Sequence, residues 1–146
     1  MSAESHELPW VLVDTEYEGL PLRLRVCPDA AANSDHRNSF QQLGIVTLDF
    51  AQVQSNGMPE GQYNLSLKDF DLSLQAAIRG DGDGVVVVVE TFSGRRNFYA
   101  YVRSEDEFRS RVADLSQLSP EHHLTVDCRA DSAWTFYDRY REQFRW

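Results

Sequence analysis

Apolar residues recur at two different spacings along the chain, in alternating blocks, and the blocks predict its elements. Trp10–Tyr17 (WVLVDTEY) alternates loosely and is followed by Glu18-Gly19. Leu20, Leu22, Leu24 and Val26 then stand at period two, with Arg23 and Arg25 on the other side. Successive strand side chains point to opposite faces, so this reads as a β-hairpin with a short glycine turn over about residues 10–26. Pro21 has no N–H to give a ladder, which puts it near a strand start or an edge. Residues 27–42 (CPDAAANSDHRNSFQQ) hold no sustained period and read as a long connector with room for one helical turn. Leu43–Val53 (LGIVTLDFAQV) returns to strand character, and Asn56-Gly57 is a turn tolerant of positive φ.

From about Ser66 the period becomes helical. Leu67, Phe70, Leu74, Ala77 and Ile78 share one stripe, Ser66 with Asp69 fits an N-terminal cap, and Gly80 fits the C-terminal one. Asp81-Gly82-Asp83-Gly84 is turn chemistry leading into Val85–Phe92 (VVVVVETF). Ser93-Gly94 links that run to Arg95–Val102 (RRNFYAYV), the strongest hairpin signal in the chain. Ser104-Glu105-Asp106-Glu107 reads as a capping box before Phe108, Val112 and Leu115, and Leu124–Arg129 reads as a last strand. Asp131 or Ser132 then caps a terminal helix carrying Trp134, Phe136, Tyr137, Tyr140 and Phe144.

The expected fold is α+β. It comprises a ferredoxin-like split β-α-β unit (β-α-β-β-α-β) over about 43–129, an N-terminal β-hairpin and a C-terminal helix over about 132–144. Residues 1–146 are read as a single domain, a length that leaves little room for two cores. In the usual strand order of that unit, 4-1-3-2, the polyvaline strand lies at an edge. An exposed edge of that composition invites aggregation, so the N-terminal hairpin or a second subunit is expected to cover it. Alternation turns Phe98, Ala100 and Val102 toward the helices, with Val46, Leu48, Phe50, Leu124, Val126 and Cys128. The other face receives Thr47, Asp49, Arg95, Asn97, Tyr99, Tyr101, Thr125, Asp127 and Arg129. That face reads as a recognition surface, a solvated face of ion pairs, or the seat of the aromatic terminal helix.

Composition narrows the partners. The formal charge of −9 disfavours binding to phosphate backbones and to anionic membrane surfaces. Residues 1–73 hold eleven acidic and four basic side chains, so a basic partner is the one this half would steer toward the protein. Residues 74–146 hold ten basic side chains, all Arg, which suits internal pairs with carboxylates. The longest apolar run, Val85–Val89, is far short of a membrane span of roughly 20 residues. Met1–Trp10 contains Glu4, His6 and Glu7 without an apolar run, so no secretory signal is expected and a cytoplasmic location is. Two cysteines make no disulfide framework, and reduced thiols fit that location.

Little in the chain spells out catalysis. His122 and His123 are adjacent on an extended segment and point apart, so a shared metal is disfavoured, and His6 and His36 lie in irregular stretches. Cys27 has no neighbour to activate it, and Cys128 belongs in a core strand. Asp81-x-Asp83 begins like a calcium loop, but Phe92 stands where the closing carboxylate is needed. No catalytic residue, metal or cofactor is therefore expected. The aromatic terminal helix, with Trp134-x-x-Tyr137 and Tyr140, reads either as core or as a docking helix.

Taken together, the Gly94-Arg95-Arg96-Asn97-Phe98-Tyr99-Ala100-Tyr101 strand, the acidic helix start after Ser104 and the closing Asp131-Ser132-Ala133-Trp134-Thr135-Phe136-Tyr137 resemble the DUF695 domain, a bacterial family named for its unknown function. The Trp10 strand and the Gly57-Met58-Pro59 turn fit as well. That family is in turn similar to the ribonuclease E regulator B family, whose ferredoxin-like domain acts by binding an enzyme. The resemblance implies a regulatory binding module and transfers no active-site residue. The leading expectation is an acidic intracellular module acting through a protein partner, with Tyr99, Tyr101, Asp127, Arg129 and Trp134 as candidate partner-binding residues and a homodimer left open. The alternative is a small-ligand binder or enzyme using the open sheet face, with Asp49 and Asp127 as acid–base pair, or a cleft under the 27–42 connector.

Overall fold

A computed structural model describes residues 10–27 and 34–146. Within them the chain forms β1 (Val11–Tyr17), β2 (Leu20–Val26), α1 (Ser34–Ser39), β3 (Gln42–Asp49), α2 (Gly61–Ser66), α3 (Lys68–Arg79), β4 (Gly84–Phe92), β5 (Arg95–Val102), α4 (Glu105–Leu118), β6 (His123–Ala130) and α5 (Thr135–Phe144). The six strands make one antiparallel sheet in the order β1-β2-β4-β5-β3-β6. Helices and an antiparallel sheet together make this an α+β protein.

Both hairpin turns are two residues long with positive φ at each: 53° and 82° at Glu18-Gly19, 51° and 86° at Ser93-Gly94. Such turns match the twist of the strands they join. β2 lies against β4, pairing Leu22 with Phe92 and Val26 with Val88. The N-terminal hairpin thus covers the polyvaline strand. A register shift between Val86 and Val88 breaks the alternation of β4, so that the consecutive Val87 and Val88 fall in the same core. Val86 and Val89 join one core, while Val85, Val87 and Val88 join the other.

The first core is the expected one. Phe70, Leu74 and Ile78 of α3 and Phe108 and Val112 of α4 pack on Val46, Leu48, Phe98, Ala100 and Val102, with Phe50, Leu124, Val126 and Cys128 at its margin. Gly44 is needed beneath α4, because a Cβ there would stand 2.6 Å from the Phe108 ring. Helix boundaries differ from the sequence reading. The helical stretch opens at α2, where the Glu60 carboxylate accepts from Gln62 N–H and Tyr63 N–H. Ser66 instead donates to Tyr63 O within α2, and Leu67 joins α2 to α3 without a side-chain cap. β3 ends at Asp49; Val53 forms only an isolated bridge with Pro59.

The second core lies on the opposite sheet face, where α5 is seated. Trp134 stacks on Tyr101 with ring centroids 4.0 Å apart and planes 6° from parallel, and both are 0% exposed. The indole Nε1–H donates to Phe40 O at 2.9 Å. Arg37 of α1 lies over the same indole and pairs with Asp138 at 2.7 Å. The Tyr101 hydroxyl donates to Asp131 and accepts from Tyr137 N–H, while the Tyr137 hydroxyl donates to Cys27 O. Trp134 itself adopts a left-handed backbone (φ 58°), a cost of roughly 1–3 kcal/mol that its burial outweighs. Asp131 holds the start of α5 by accepting from Thr135 N–H and Phe136 N–H at 2.9 and 3.0 Å. Burial alone would raise the Asp131 carboxyl, but the bonds from Phe136, Tyr101 and Thr135 hold it below its ordinary value.

Two outcomes follow for stability. Trp134→Ala opens a cavity over Tyr101 and should cost about 3–5 kcal/mol in urea unfolding at pH 7. Asp131→Ala should cost about 1 kcal/mol there, as loss of a cap does. A carboxyl depressed on folding stabilises above its unfolded value, about pH 3.9, and loses that effect as pH falls through its folded value. The gap between wild type and Asp131→Ala should therefore close below about pH 4 in urea titrations across pH; a gap that widened in acid would contradict the assignment.

Candidate functional site

The sheet is wider than its helical cover. α3 packs on β4 and β5 and α4 on β3 and β6, so the hairpin projects past α3. On this side β2 presents Arg23 and Arg25 opposite Asp14 and Leu12 of β1. Between the hairpin and α2–α3 lies an open groove of about 350 Å³. Its walls include Leu12, Arg23 and Arg25 from the hairpin and Leu65, Lys68, Leu72 and Gln75 from the helices, with Asp71, Thr91 and Arg96 below.

A buried polar chain forms the floor. Arg96, 8% exposed, donates through Nε to Thr91 Oγ1 at 2.9 Å, through Nη1 to Asp71 Oδ2 at 2.8 Å and through Nη2 to Asn64 Oδ1 at 2.9 Å. Its guanidinium also lies 5.5 Å from the centre of the Phe50 ring. Arg25 reaches the same Asp71 Oδ2 more weakly, at 3.4 Å, while Asp71 Oδ1 is buried without a hydrogen-bond partner. Burial pushes the Asp71 carboxyl up, against the pull of Arg96 and Arg25. Burial likewise lowers Arg25, with Asp71 opposing and Arg96 adding to the effect. Arg23 stands further out and pairs with Asp14 at 2.8 Å, in solvent.

The strand period placed Arg23 and Arg25 opposite the leucines of β2, as the structure has them. Arg96 and Asp71 were missed as site residues, although a signal was present. Arg96 has the parity of Phe98, Ala100 and Val102, and Asp71 lies four residues after Leu67 and three before Leu74. An Arg on an apolar strand face and an Asp on an apolar helix stripe are each costly when buried alone, so they imply each other.

The five candidate partner-binding residues divide between core and surface. Tyr99–Ile45–Asp127 and Tyr101–Leu43–Arg129 form two rows across β5, β3 and β6 on the α5 side of the sheet. Tyr101 and Trp134 are wholly buried in the α5 seat, so they offer no surface in this conformation. Tyr99 is half-buried and stacks on Phe136 at 4.5 Å. Asp127 and Arg129 are exposed, and Arg129 flanks an open hollow of about 470 Å³ with Phe136 and Arg139. Glu90 on this face accepts from Asn97 Nδ2 at 2.7 Å and from the Tyr140 hydroxyl, anchoring α5 rather than facing solvent.

The suggested acid–base pair is not assembled. Asp127 lies opposite Ile45, whereas Asp49 lies opposite His123, four residues along the same ladder and therefore about 13 Å away. Neighbouring strands bring two side chains together only where the register also agrees. Asp49 instead stands 3.6 Å from His123 and 4.0 Å from Arg95. His122 turns the other way and packs on Phe70, with ring centroids 4.1 Å apart. Asp83 is engaged by Arg111 at 2.7 Å and by Arg103 at 3.6 Å. Cys27 is buried, and burial pushes the Cys128 thiol up to about 11. The connector cleft falls partly outside the described residues, as does His6. Among the described residues no group of three or more His, Cys, Asp or Glu is disposed to hold a metal, and no helix is long and apolar enough to cross a membrane.

The fold and this groove define the class: an α+β domain with a six-stranded antiparallel sheet and a cationic groove at its hairpin edge. The chain belongs to a family of unknown function, DUF695, whose model matches residues 10–140. No curated protein matches the chain, and no solved structure does.

Asp71→Ala would leave the Arg96 charge buried without its anion, and should cost about 3–5 kcal/mol in urea unfolding. Replacing the pair together, Asp71→Leu with Arg96→Met, should recover most of that loss. A single-variant cost below about 1 kcal/mol would mean that the Arg96 guanidinium reaches water and that the floor is not dry.

Proposed function

We propose that the chain is a small regulatory or binding module that acts through a protein partner, and that the partner docks at the groove beside the hairpin. One observation carries this reading: exposed apolar side chains gather there. Leu12, Leu65 and Leu72 are 62%, 68% and 58% exposed and rim one groove, and Trp10, also exposed, directly precedes the same outer strand. Single exposed leucines are ordinary, but a cluster around arginines over a rigid floor resembles the apolar-and-Arg make-up of interface hot spots.

The architecture supports this reading in a second way. The segment β3–α3–β4–β5–α4–β6, with sheet order β4-β5-β3-β6, is read as a ferredoxin-like unit, and the hairpin as the addition that creates the docking edge. The whole chain is taken to act as one domain. The similarity of the family to the ribonuclease E regulator B family points the same way, as an analogy of fold and not of site. A cytoplasmic setting suits the buried Cys27 and the raised Cys128 thiol, neither of which is poised to react. The enzyme alternative drew on Asp49 and Asp127 as a working pair, and their separation in the ladder lowers it.

A photo-crosslinking amino acid placed at position 65, 72 or 118 in producing cells tests the docking face. Leu118 is 82% exposed on α4 and serves as the control. One protein should be captured from positions 65 and 72 and absent from 118. Equal capture at all three positions, or none at 65 and 72, would remove the groove as the docking site.

A further inference from the structure

We infer that the groove receives an acidic, leucine-bearing segment of its partner, with Arg25 and Lys68 taking carboxylates and Leu12, Leu65 and Leu72 taking leucines. This rests on the reading above that the groove is a docking site, and it adds what the site selects.

Local charge opposes the net charge. The chain as a whole carries −9, yet four cations line this groove: Arg23 is paired with Asp14 and Arg96 with Asp71, which leaves Arg25 and Lys68 as the surplus positive charge. A basic segment would meet like charge at contact distance, whatever the rest of the molecule does at long range.

Donor accounting then separates floor from receptor. Each of the three Arg96 nitrogens already has a protein acceptor within 2.9 Å, so Arg96 is fixed structure. Arg25 makes one contact of 3.4 Å, to an oxygen that Arg96 holds more closely. A guanidinium has five N–H donors, so most of those on Arg25 remain for a ligand. Its side chain is 31% exposed, which leaves it reachable but partly desolvated, a setting in which a bidentate carboxylate contact is strong. Lys68 is exposed at the start of α3 and lines the same groove. Asp71 acts here as a positioning residue, holding Arg25 and Arg96 side by side without neutralising both.

The rim decides between kinds of anion. A phosphate or a nucleic-acid backbone would use the cations and leave three leucines in water. A peptide bearing both carboxylates and leucines uses all of them. The groove is open to solvent rather than enclosed, which suits a segment of chain more than an enclosed metabolite.

The test is a methyl and side-chain NMR titration of the full chain with two synthetic 12-residue peptides of leucine and glutamate, and of leucine and lysine, with inorganic phosphate as a third probe. The acidic peptide should shift Leu12, Leu65, Leu72 and the Arg25 Nε–H while leaving Leu118 unmoved. Arg25→Gln and Lys68→Glu should each weaken it about tenfold. Lys68 is an exposed residue, so Lys68→Glu keeps the fold, and an unchanged methyl spectrum verifies this for both variants. Equal or tighter binding of the lysine peptide, an equal response to phosphate alone, or shifts confined to other surfaces would overturn the inference. If position 72 still captures a partner while the glutamate peptide fails to bind, the acidic segment is wrong and the docking face stands. Failure of both removes both.

Discussion

The stack of Trp134 on Tyr101 is the contact on which the architecture turns, because it lets the middle of the sheet be dry on both sides. A strand of five consecutive valines cannot leave one face in water without exposing a large apolar area. α3 and α4 shield one side, and α5 must shield the other. Its hold is specific as well as apolar: the indole N–H, the Tyr101 hydroxyl, the Asp131 carboxylate and the Tyr137 hydroxyl each have a partner inside the seat. A buried polar group without a partner would cost about as much as a good contact contributes. Two of the aromatic residues that resemble a recognition surface in the sequence, Tyr101 and Trp134, are therefore consumed in folding, while Asp127 and Arg129 stay exposed beside them.

Covering the sheet at β4 creates the groove. β2 completes the ladder of the polyvaline strand, and the hairpin thereby extends the sheet beyond the width that two helices can cover. Its α5 side still finds neighbours, since Leu22, Leu24 and Val26 are buried in the second core. Its other side meets α3 only through the Arg25–Asp71 contact, and there the sequence places Arg23 and Arg25 instead of apolar residues. The alternation of β2 is thus a record of unequal cover: leucines where α5 reaches and arginines where α3 stops.

How much of this the sequence displayed depends on the range of the interaction. Local signals were legible: the two glycine turns, the cap at Ser104, the cap at Asp131 and the period of each strand come from residues a few positions apart. The face assignment of β3, β5 and β6 was legible too, since period two needs no tertiary knowledge. The start of the first long helix was misplaced because Ser66 carries cap chemistry, yet Glu60 caps a preceding turn of helix that runs into α3 through Leu67. Tyr101 and Trp134 share the chemistry of interface residues, and only the seat formed by Phe40, Cys27 and Tyr137 from distant parts of the chain decides that they are core. Asp49 and Asp127 failed as a pair for a related reason. Strand adjacency follows from topology, but register follows from the whole ladder. The groove was the least legible feature, because Arg25, Asp71 and Arg96 come from three separated elements.

The same distinction of range bears on recognition. Net charge is a property of the whole chain and acts at distances where salt at physiological strength screens it within about 8 Å. On the proposed reading docking is decided closer in, where the arginines of β2 and α3's lysine stand among a solvent-exposed rim of leucines. An acidic protein can therefore carry a site for acidic ligands, provided its cations are held by structure rather than averaged over the surface. Asp71 supplies that hold. It draws Arg96 into a dry floor with three fixed bonds and leaves Arg25 with one weak contact, so a single carboxylate serves two guanidinium groups and the surplus positive charge faces the groove.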